Sequence, residues 1–542
     1  MPPFDSPAVS AFARHNEIVA QLRRNIGATE LIETHLSSLL IAGDRVYKLK
    51  KPVCFGFVDF STLATRRAAC EQELRLNRRT APQWYLGVLA VRRGAGGACL
   101  AAPDDEAAGL LLDWAVQMRR FDDHQRLDRL AQSGLLTEAM VDRLAETVAR
   151  FHRGLLPALP DPDGDQNTRR WARENLVELA ELVDLVEPVG GVAVAEVRAL
   201  QRWTEQRGAE LSSWMQARRR SGSVREVHGD LHLGNIFWAD GEPVLFDALE
   251  FNDALRRIDT IGDLAFTFMD LHAQGLPRLA WRFIGTALEA CGDQEALPLL
   301  AWWAVYRAAV RAKVVLLGAA GSGAAAAQAL SRRYLEVALH LAGLAGRPAK
   351  PRLVQMFGLS GAGKSRIAGL LVERLAAEAG GCGGALRLRS DVERKRLFAL
   401  APTAHDSPGL YSEVFHRRTY DRLLQLAGVA LQAGVSVVID AASLRRRERD
   451  AMRALAARHQ VGFTLLVCDA PMLVLQARVG RRLRLGADAS DATLEVLAHQ
   501  QQIVEWPGAD EAADCRRLDT DVPESELVAR VEALSMDAHL ES

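Results

Sequence analysis

The sequence predicts a multidomain chain of mixed class, an α+β first part followed by an α/β part built on a parallel sheet. Three observations carry that expectation. At 542 residues the chain exceeds a single hydrophobic core, because domains usually hold about 100 to 200 residues. Gly346-Arg-Pro-Ala-Lys-Pro351 interrupts any helix and reads as a linker. Beyond it a short apolar strand, Leu353 to Phe357, runs into a glycine-rich loop and an amphipathic helix to about Ala379, the order that opens a parallel α/β sheet.

Composition excludes several classes. Hydrophobic residues make up 49% and charged ones 25%, as in a globular protein, and no apolar run approaches the roughly 18 residues that span a bilayer. The opening MPPFDSPAVSAF has no basic segment followed by an apolar core, so a cytoplasmic location is expected. Cys54, Cys70, Cys99, Cys291, Cys382, Cys468 and Cys515 form no C-x-x-C pair and read as isolated thiols. A net charge of -1 supplies no basic field for nucleic acid, and Arg218 to Arg220 and Arg445 to Arg447 read as solvated helix faces. Among the many basic residues only seven are Lys: Lys48, Lys50, Lys51, Lys313, Lys350, Lys364 and Lys395. Three share one strand and one sits in the glycine-rich loop, where a compact ammonium suits a phosphate chain better than a guanidinium.

In residues 1–121, Gly43-Asp44 is a turn and Arg45 to Leu49 alternates, with Val46 and Lys48 on one face. Lys50 lies on that face too, so periodicity does not separate the two lysines. A helix from about Leu63 to Thr80 carries Glu71 and Glu73. Val88 to Arg92, the Gly96-Gly97 turn and Leu110 to Met118 read as the remaining strands, ending at Arg119 to Phe121.

In residues 122–345, Leu136, Met140, Leu144, Val148 and Phe151 recur at helical spacing, with His152 read as a packed histidine. Asp161 to Asp165 is a loop by composition. The stretch His228-Gly-Asp-Leu-His-Leu-Gly-Asn235 follows, then an apolar triplet, an Asp240-Gly241 turn, a second apolar run and Asp247. An Asp-Gly pair between two apolar runs is a hairpin signal, and folding it brings Asn235 and Asp247 together near Asp230. Phosphoryl transfer needs such a set: one carboxylate to receive or orient an acceptor hydroxyl, and an amide and a second carboxylate to hold Mg²⁺ against nucleotide phosphates. Trp302 to Leu317 and Ala325 to Leu344 read as Ala-rich helices.

The order of these residues resembles the catalytic loop of protein kinases, with His-Gly-Asp for His-Arg-Asp and Asp-Ala-Leu-Glu for Asp-Phe-Gly, and so resembles the aminoglycoside phosphotransferase family. The resemblance implies a bilobal protein-kinase-like fold, with a small lobe at 1–121 and a large lobe at 122–345. It implies ATP and Mg²⁺, Asp230 facing the acceptor, Asn235 and Asp247 on the metal, Lys48 on the phosphates, Glu73 orienting Lys48, and adenine held at a hinge near Arg119 to Phe121. Asp263, in Gly-Asp-Leu-Ala, matches the residue that braces the catalytic loop from behind; a helix N-cap is the plainer use of such an Asp. One departure is plain: His35 to Gly43, HLSSLLIAG, stands where kinases carry G-x-G-x-x-G.

Past the expected linker at 346–351, Gly358-Leu359-Ser360-Gly361-Ala362-Gly363-Lys364-Ser365 is G-x-x-x-x-G-K-S between a strand and a helix. Loop N–H groups cradle phosphates, Lys364 reaches the β and γ groups and Ser365 ligates Mg²⁺. Strands ending at Ser390-Asp391, at Asp440 and at Cys468 follow, then a crowd of Arg478, Arg481, Arg482 and Arg484. Residues 352–542 are similar to the P-loop kinases of small molecules and nucleic-acid ends, which include gluconate kinase, polynucleotide kinase, chloramphenicol phosphotransferase and zeta toxins. That resemblance implies Asp391 at the acceptor hydroxyl, Asp440 near Mg²⁺, and Arg478 and Arg482 as a lid over the phosphate.

The whole order resembles bacterial proteins in which an aminoglycoside phosphotransferase and an ATP-binding protein are fused. The expected activity is ATP- and Mg²⁺-dependent phosphotransfer at two sites to small hydroxyl-bearing acceptors, without a membrane partner and with nucleic acid unsupported but left open. One half acting as an ATP-sensing module, or the P-loop half acting as a polynucleotide 5'-kinase, are the alternatives.

Overall fold

The computed structural model describes residues 7–55, 58–159, 161, 163–185, 194–318, 324–346, 349–379, 383–400, 412–485 and 493–534. They form two compact units. One joins Met1–Gln274 to Tyr306–Glu336, and the other joins Gly275–Val305 to Val337–Ser542.

The first unit opens with helix α1 (Pro7–Asn25) and strands β1 (Glu30–Glu33), β2 (Ser37–Ala42) and β3 (Arg45–Lys50). A two-residue pair, β4 (Cys54–Phe55) and β5 (Val58–Asp59), leads to α2 (Leu63–Asn77), then β6 (Tyr85–Gly94), β7 (Gly97–Ala101) and β8 (Leu110–Arg119). The strands make one antiparallel sheet in the order β1-β2-β3-β8-β6-β7. Helix α1 buries Ile18, Val19 and Leu22 against Leu40, Leu49 and Val91 on one side of it. Cys70 of α2 joins Ala90, Trp114 and Val116 on the other. Helix α2 starts where expected, with Thr62 as its cap, and stops three residues short of Thr80. The segment expected in place of a glycine-rich loop is mostly strand β2, joined to β1 by the turn Thr34 to Leu36.

Helices α3 (Leu127–Gln132), α4 (Glu138–Gly154), α5 (Gly164–Leu185), α6 (Val194–Glu210) and α7 (Ser212–Arg220) follow, then strand β9 (Val224–Glu226) and the hairpin β10 (Ile236–Ala239) and β11 (Glu242–Leu245). Helix α8 (Asp253–Arg256) and strand β12 (Arg257–Asp259), paired with β9, lead into α9 (Thr260–Ala273). Of the Arg218–Arg220 run only Arg220 is exposed as expected of a solvated face. Arg218 is buried against Asp259 at 2.7 Å and Arg219 bonds Asp165 at 2.6 Å, because α7 turns this side inward onto the start of α9. The expected acidic loop is partly helix for the same reason: Asp165 lies in the first turn of α5.

Next come α10 (Pro277–Cys291), α11 (Leu297–Gly318) and α12 (Ala324–Leu341). The expected linker at 346–351, of which residues 347 and 348 lie outside the described ones, does not divide the compact units. Helix α10 packs on the C-terminal part instead, and Arg278 and Arg282 both pair with Glu373, at 2.8 and 3.0 Å.

The second unit is a parallel five-stranded sheet, built from β13 (Arg352–Phe357), α13 (Lys364–Glu378), β14 (Ala385–Arg389), α14 (Ser390–Leu397), α15 (Glu413–Gln432), β15 (Ser436–Asp440), α16 (Arg446–Arg458), β16 (Gly462–Asp469), α17 (Met472–Leu485), α18 (Leu494–Ile503), β17 (Cys515–Asp519) and α19 (Glu524–Ala533). Its order is β14-β15-β13-β16-β17. Helices on both faces bury β15 along its whole length and β13 from Leu353 onward. Among the described residues no helix is long and apolar enough to cross a membrane.

Candidate active sites

In the first unit, the alternation of β3 turns Lys48 and Lys50 to the same interior, and α2 sets Glu73 opposite them. Lys48 Nζ donates to Glu73 Oε1 at 2.9 Å and to Asp247 Oδ1 at 2.5 Å. Lys50 Nζ forms an ion pair with Glu73 Oε2 at 2.5 Å and donates to Glu250 Oε1. Their partners separate the two lysines, since only Lys48 reaches Asp247. Glu71 pairs with Arg67 on the surface. Burial favours a neutral Lys48, but Asp247, Glu73 and Glu250 outweigh it and hold the ammonium well above the ordinary lysine range. Burial likewise opposes ionisation of Glu73, and the two ammoniums overcome it. For Glu250 burial wins, and its carboxyl is lifted.

The hairpin closes as its Asp-Gly pair predicts: Asp240 at φ 52° and Gly241 at φ 80° form the turn, with Ile236 opposite Leu245. The Phe246 N–H donates to the Asn235 carbonyl at 3.0 Å, which brings Asn235 and Asp247 to the open end. Asp247 itself has φ 60°, a conformation that costs a non-glycine residue on the order of 1–3 kcal/mol. It is held there because its N–H donates to Tyr85 Oη at 3.1 Å and the next N–H to Asn77 Oδ1 at 2.9 Å.

Asn235 Nδ2 donates to both the carbonyl and Oδ2 of Asp230, each at 3.0 Å. That leaves Asn235 Oδ1 and the Asp247 carboxylate as hard oxygen donors, which fits Mg²⁺. His232 Nε2 also faces Asp230 Oδ2, at 3.6 Å, so among the described residues Oδ1 is the oxygen left for a hydroxyl. Burial raises the Asp230 carboxyl, but His232 and Arg311 outweigh it, and the group stays ionised well below the usual range.

Helix α9 shapes the loop that carries these residues. Asp259 caps the helix by accepting the Ile261 N–H, which frees Asp263 for the loop. Asp263 accepts the N–H of Gly229 at 2.9 Å and of His228 at 3.2 Å, and is held by His152 Nε2 at 2.9 Å. One turn on, Thr267 Oγ1 donates to the Leu231 carbonyl at 2.7 Å. Asp270 then accepts the Leu233 N–H at 2.8 Å and Tyr334 Oη–H at 2.9 Å. Three side chains at i, i+4 and i+7 thus match the loop backbone. The signal in the sequence is a polar stripe of helical period in an otherwise apolar helix. His152 is buried as expected, and it also orients Asp263. At the expected hinge Phe121 stacks on Phe237 at 4.2 Å.

In the second unit the phosphate loop passes close to the ends of β16 and α17. A Cβ on Gly358 would stand 2.5 Å from the Cys468 carbonyl oxygen, and one on Gly361 2.6 Å from that of Leu475; both glycines also have positive φ. Leu359 and Ala362 are buried and Ser360 and Gly363 complete the loop. Lys364 Nζ donates to the carbonyls of Gly358 and Leu359 at 2.9 and 2.8 Å, and burial draws its proton affinity below the ordinary lysine value. Ser365 Oγ donates to Asp440 Oδ1 at 3.2 Å, so hydroxyl and carboxylate stand together, which also fits Mg²⁺. Asp391, in the first turn of α14, accepts from Arg394 at 2.7 Å.

Arg478 is not placed as a lid. It donates to the Thr520 carbonyl at 2.7 Å and to Thr520 Oγ1 at 3.0 Å, and approaches the Gly361 carbonyl at 3.4 Å, so it clamps the loop to the end of β17. Arg482, one turn on, lies near enough to Lys364 to bear on its charge. Nothing in the sequence singles out Tyr85 or Asn77, whose partners at Asp247 and Ala248 lie far along the chain.

Comparison with known proteins gives a consistent picture. A family model described as phosphotransferase enzyme family matches residues 62–280, and one described as AAA domain matches residues 353–507. Uncharacterized proteins of Mycobacterium tuberculosis and Mycobacterium bovis are 34% identical over 476 residues, covering 86% of this chain and 88% of theirs. Among solved structures, the APS kinase CysC of Mycobacterium tuberculosis, in complex with AMPPNP and APS, is 24% identical, covering 34% of this chain and 96% of its own at a TM-score of 0.26. A gluconokinase from Sinorhizobium meliloti is 20% identical, covering 34% of this chain and 90% of its own at a TM-score of 0.24.

Proposed function

Because the chain belongs to the family in which a phosphotransferase-family domain is joined to a P-loop kinase-like domain, we propose that both halves move the γ-phosphate of ATP to hydroxyl groups of small molecules, with Mg²⁺. The observation that carries this reading is the convergence in the first unit: Lys48 bridges Glu73 and Asp247 while Asn235 holds Asp230. Phosphate cation, metal oxygens and acceptor carboxylate stand at one place.

Asp230 Oδ1 takes the hydrogen bond of the acceptor hydroxyl and receives its proton as the oxygen attacks phosphorus. Lys48, kept charged and aimed by Glu73, balances the phosphate oxygens. Mg²⁺ on Asn235 and Asp247 would neutralise charge that develops on the leaving diphosphate. In the second unit Lys364 takes the phosphate role, Ser365 and Asp440 the metal role and Asp391 the acceptor role. Little covalent work falls to the protein, so its contribution is positioning.

The test is γ-labelled ATP incubated with a metabolite extract and the full chain, its Asp230→Asn variant or its Lys364→Ala variant. Each variant is expected to lose a different labelled product. If neither loses label, phosphotransfer is refuted, and ATP binding without consumption would favour a sensor.

A further inference from the structure

Gln500 reaches the phosphate loop from α18, a helix anchored one turn earlier by buried Leu497. Its Oε1 accepts the backbone N–H of Ser360 at 2.8 Å. A carboxamide offers one acceptor oxygen and two N–H donors on its nitrogen, so this bond fixes the acceptor and leaves Nε2 to donate elsewhere.

The position of Ser360 indicates where those donors stand. The loop N–H groups around the start of α13 have no acceptor inside the helix and form the phosphate cradle. Lys364, whose ammonium serves the β and γ groups in such loops, folds over the carbonyls of Gly358 and Leu359. The terminal phosphate therefore belongs beside the Gly358–Ser360 arm, and that is the arm to which Gln500 is bonded. Arg478, the residue expected to cover the phosphate, is engaged by Thr520.

We propose that Gln500 is a nucleotide-binding residue that contacts the γ-phosphate through Nε2 and makes this loop favour a nucleoside triphosphate over a diphosphate. The inference rests on the reading of Gly358–Ser365 as a nucleotide site.

Calorimetric titration of the full chain with AMP-PNP and with ADP, in Mg²⁺, tests it; the binding lost in Lys364→Ala defines the P-loop component. Gln500→Ala is expected to weaken AMP-PNP in that component about tenfold, the size of one hydrogen bond to a charged group, with ADP changed less than about twofold. Gln500→Glu, which can still accept the Ser360 N–H but sets a carboxylate against the phosphate, weakens AMP-PNP further. Equal changes for both nucleotides, no change, or AMP-PNP binding retained by Gln500→Glu overturns the proposal, leaving Gln500 as a prop for the loop. An isotherm unaltered by Lys364→Ala instead refutes the nucleotide reading itself, and the proposal with it.

Discussion

Lys48 and Lys364 are assigned the same partner, a chain of phosphates, in opposite surroundings. Lys48 is already neutralised by two carboxylates, Glu73 and Asp247, and holds its proton more tightly than an ordinary lysine. Lys364 donates to the carbonyls of Gly358 and Leu359, and burial outweighs the more distant Asp440 and Asp391, so it holds its proton less tightly. The difference follows from how each site is built. The first is assembled from side chains on strand, helix and hairpin, so charges must balance before a nucleotide arrives. The second is assembled from backbone N–H groups, which carry no compensating charge. A nucleotide entering the first site competes with Asp247 for Lys48, whereas one entering the second supplies the missing anion.

Four experiments break or sharpen that contrast. Asp230→Asn is expected to lower product formation at the first site about 10²- to 10⁴-fold, the usual worth of a positioned base, with nucleotide affinity unchanged because Asp230 contacts Asn235 and His232 rather than Lys48. Steady-state kinetics and calorimetry separate the two effects, and an unaltered turnover would remove Asp230 from its role.

Lys364→Ala is expected to weaken nucleotide binding at the second site roughly 10²-fold, as loss of a buried charged hydrogen-bonding partner does. A titration unaltered by the substitution would refute the reading of Gly358–Ser365 as a nucleotide site.

Asp263→Ala strips acceptors from the His228 and Gly229 N–H groups and from His152, all buried, and is expected to destabilise the first unit by about 3–5 kcal/mol in denaturant unfolding. The Asp263 carboxyl is lowered, with burial opposing and the His152 hydrogen bond favouring ionisation. A carboxyl lowered in the folded state stabilises above its unfolded pKa and loses that stability as pH falls through the folded one. The wild-type chain should therefore lose stability on acidification more steeply than Asp263→Asn; parallel curves would contradict the assignment.

The smallest effect is a proton count. As pH rises toward the lysine value of 10.5, nucleotide binding at the second site should take up a fraction of a proton, because phosphates restore the Lys364 charge. The first site should take up none, since Lys48 stays charged. Calorimetry in two buffers of different ionisation enthalpy measures the uptake, and its persistence in Lys364→Ala would erase the contrast.

The motifs were legible where structure is local. Asp240-Gly241 dictates the hairpin turn, and the turn delivers Asn235 to Asp247. Gly358, Gly361 and Gly363 dictate the phosphate loop. The burial of Arg218 and the clamp made by Arg478 were not legible, because a basic helical residue looks the same in sequence whether its face meets water, Asp259 or Thr520.

By itself the sequence determined the two motifs, the mixed class and the five-residue spacing that joins Asp230 to Asn235. Tertiary structure alone decided which lysine meets Asp247, that Lys50 closes on Glu250 across 200 residues, that Asp270 and Tyr334 secure the far end of the His228–Asn235 loop, and that Gln500 reaches Ser360 across 140 residues. The reason is physical. Turn and loop chemistry is set by neighbours in the chain, while the charge, burial and aim of a side chain are set by whatever element the fold packs against it.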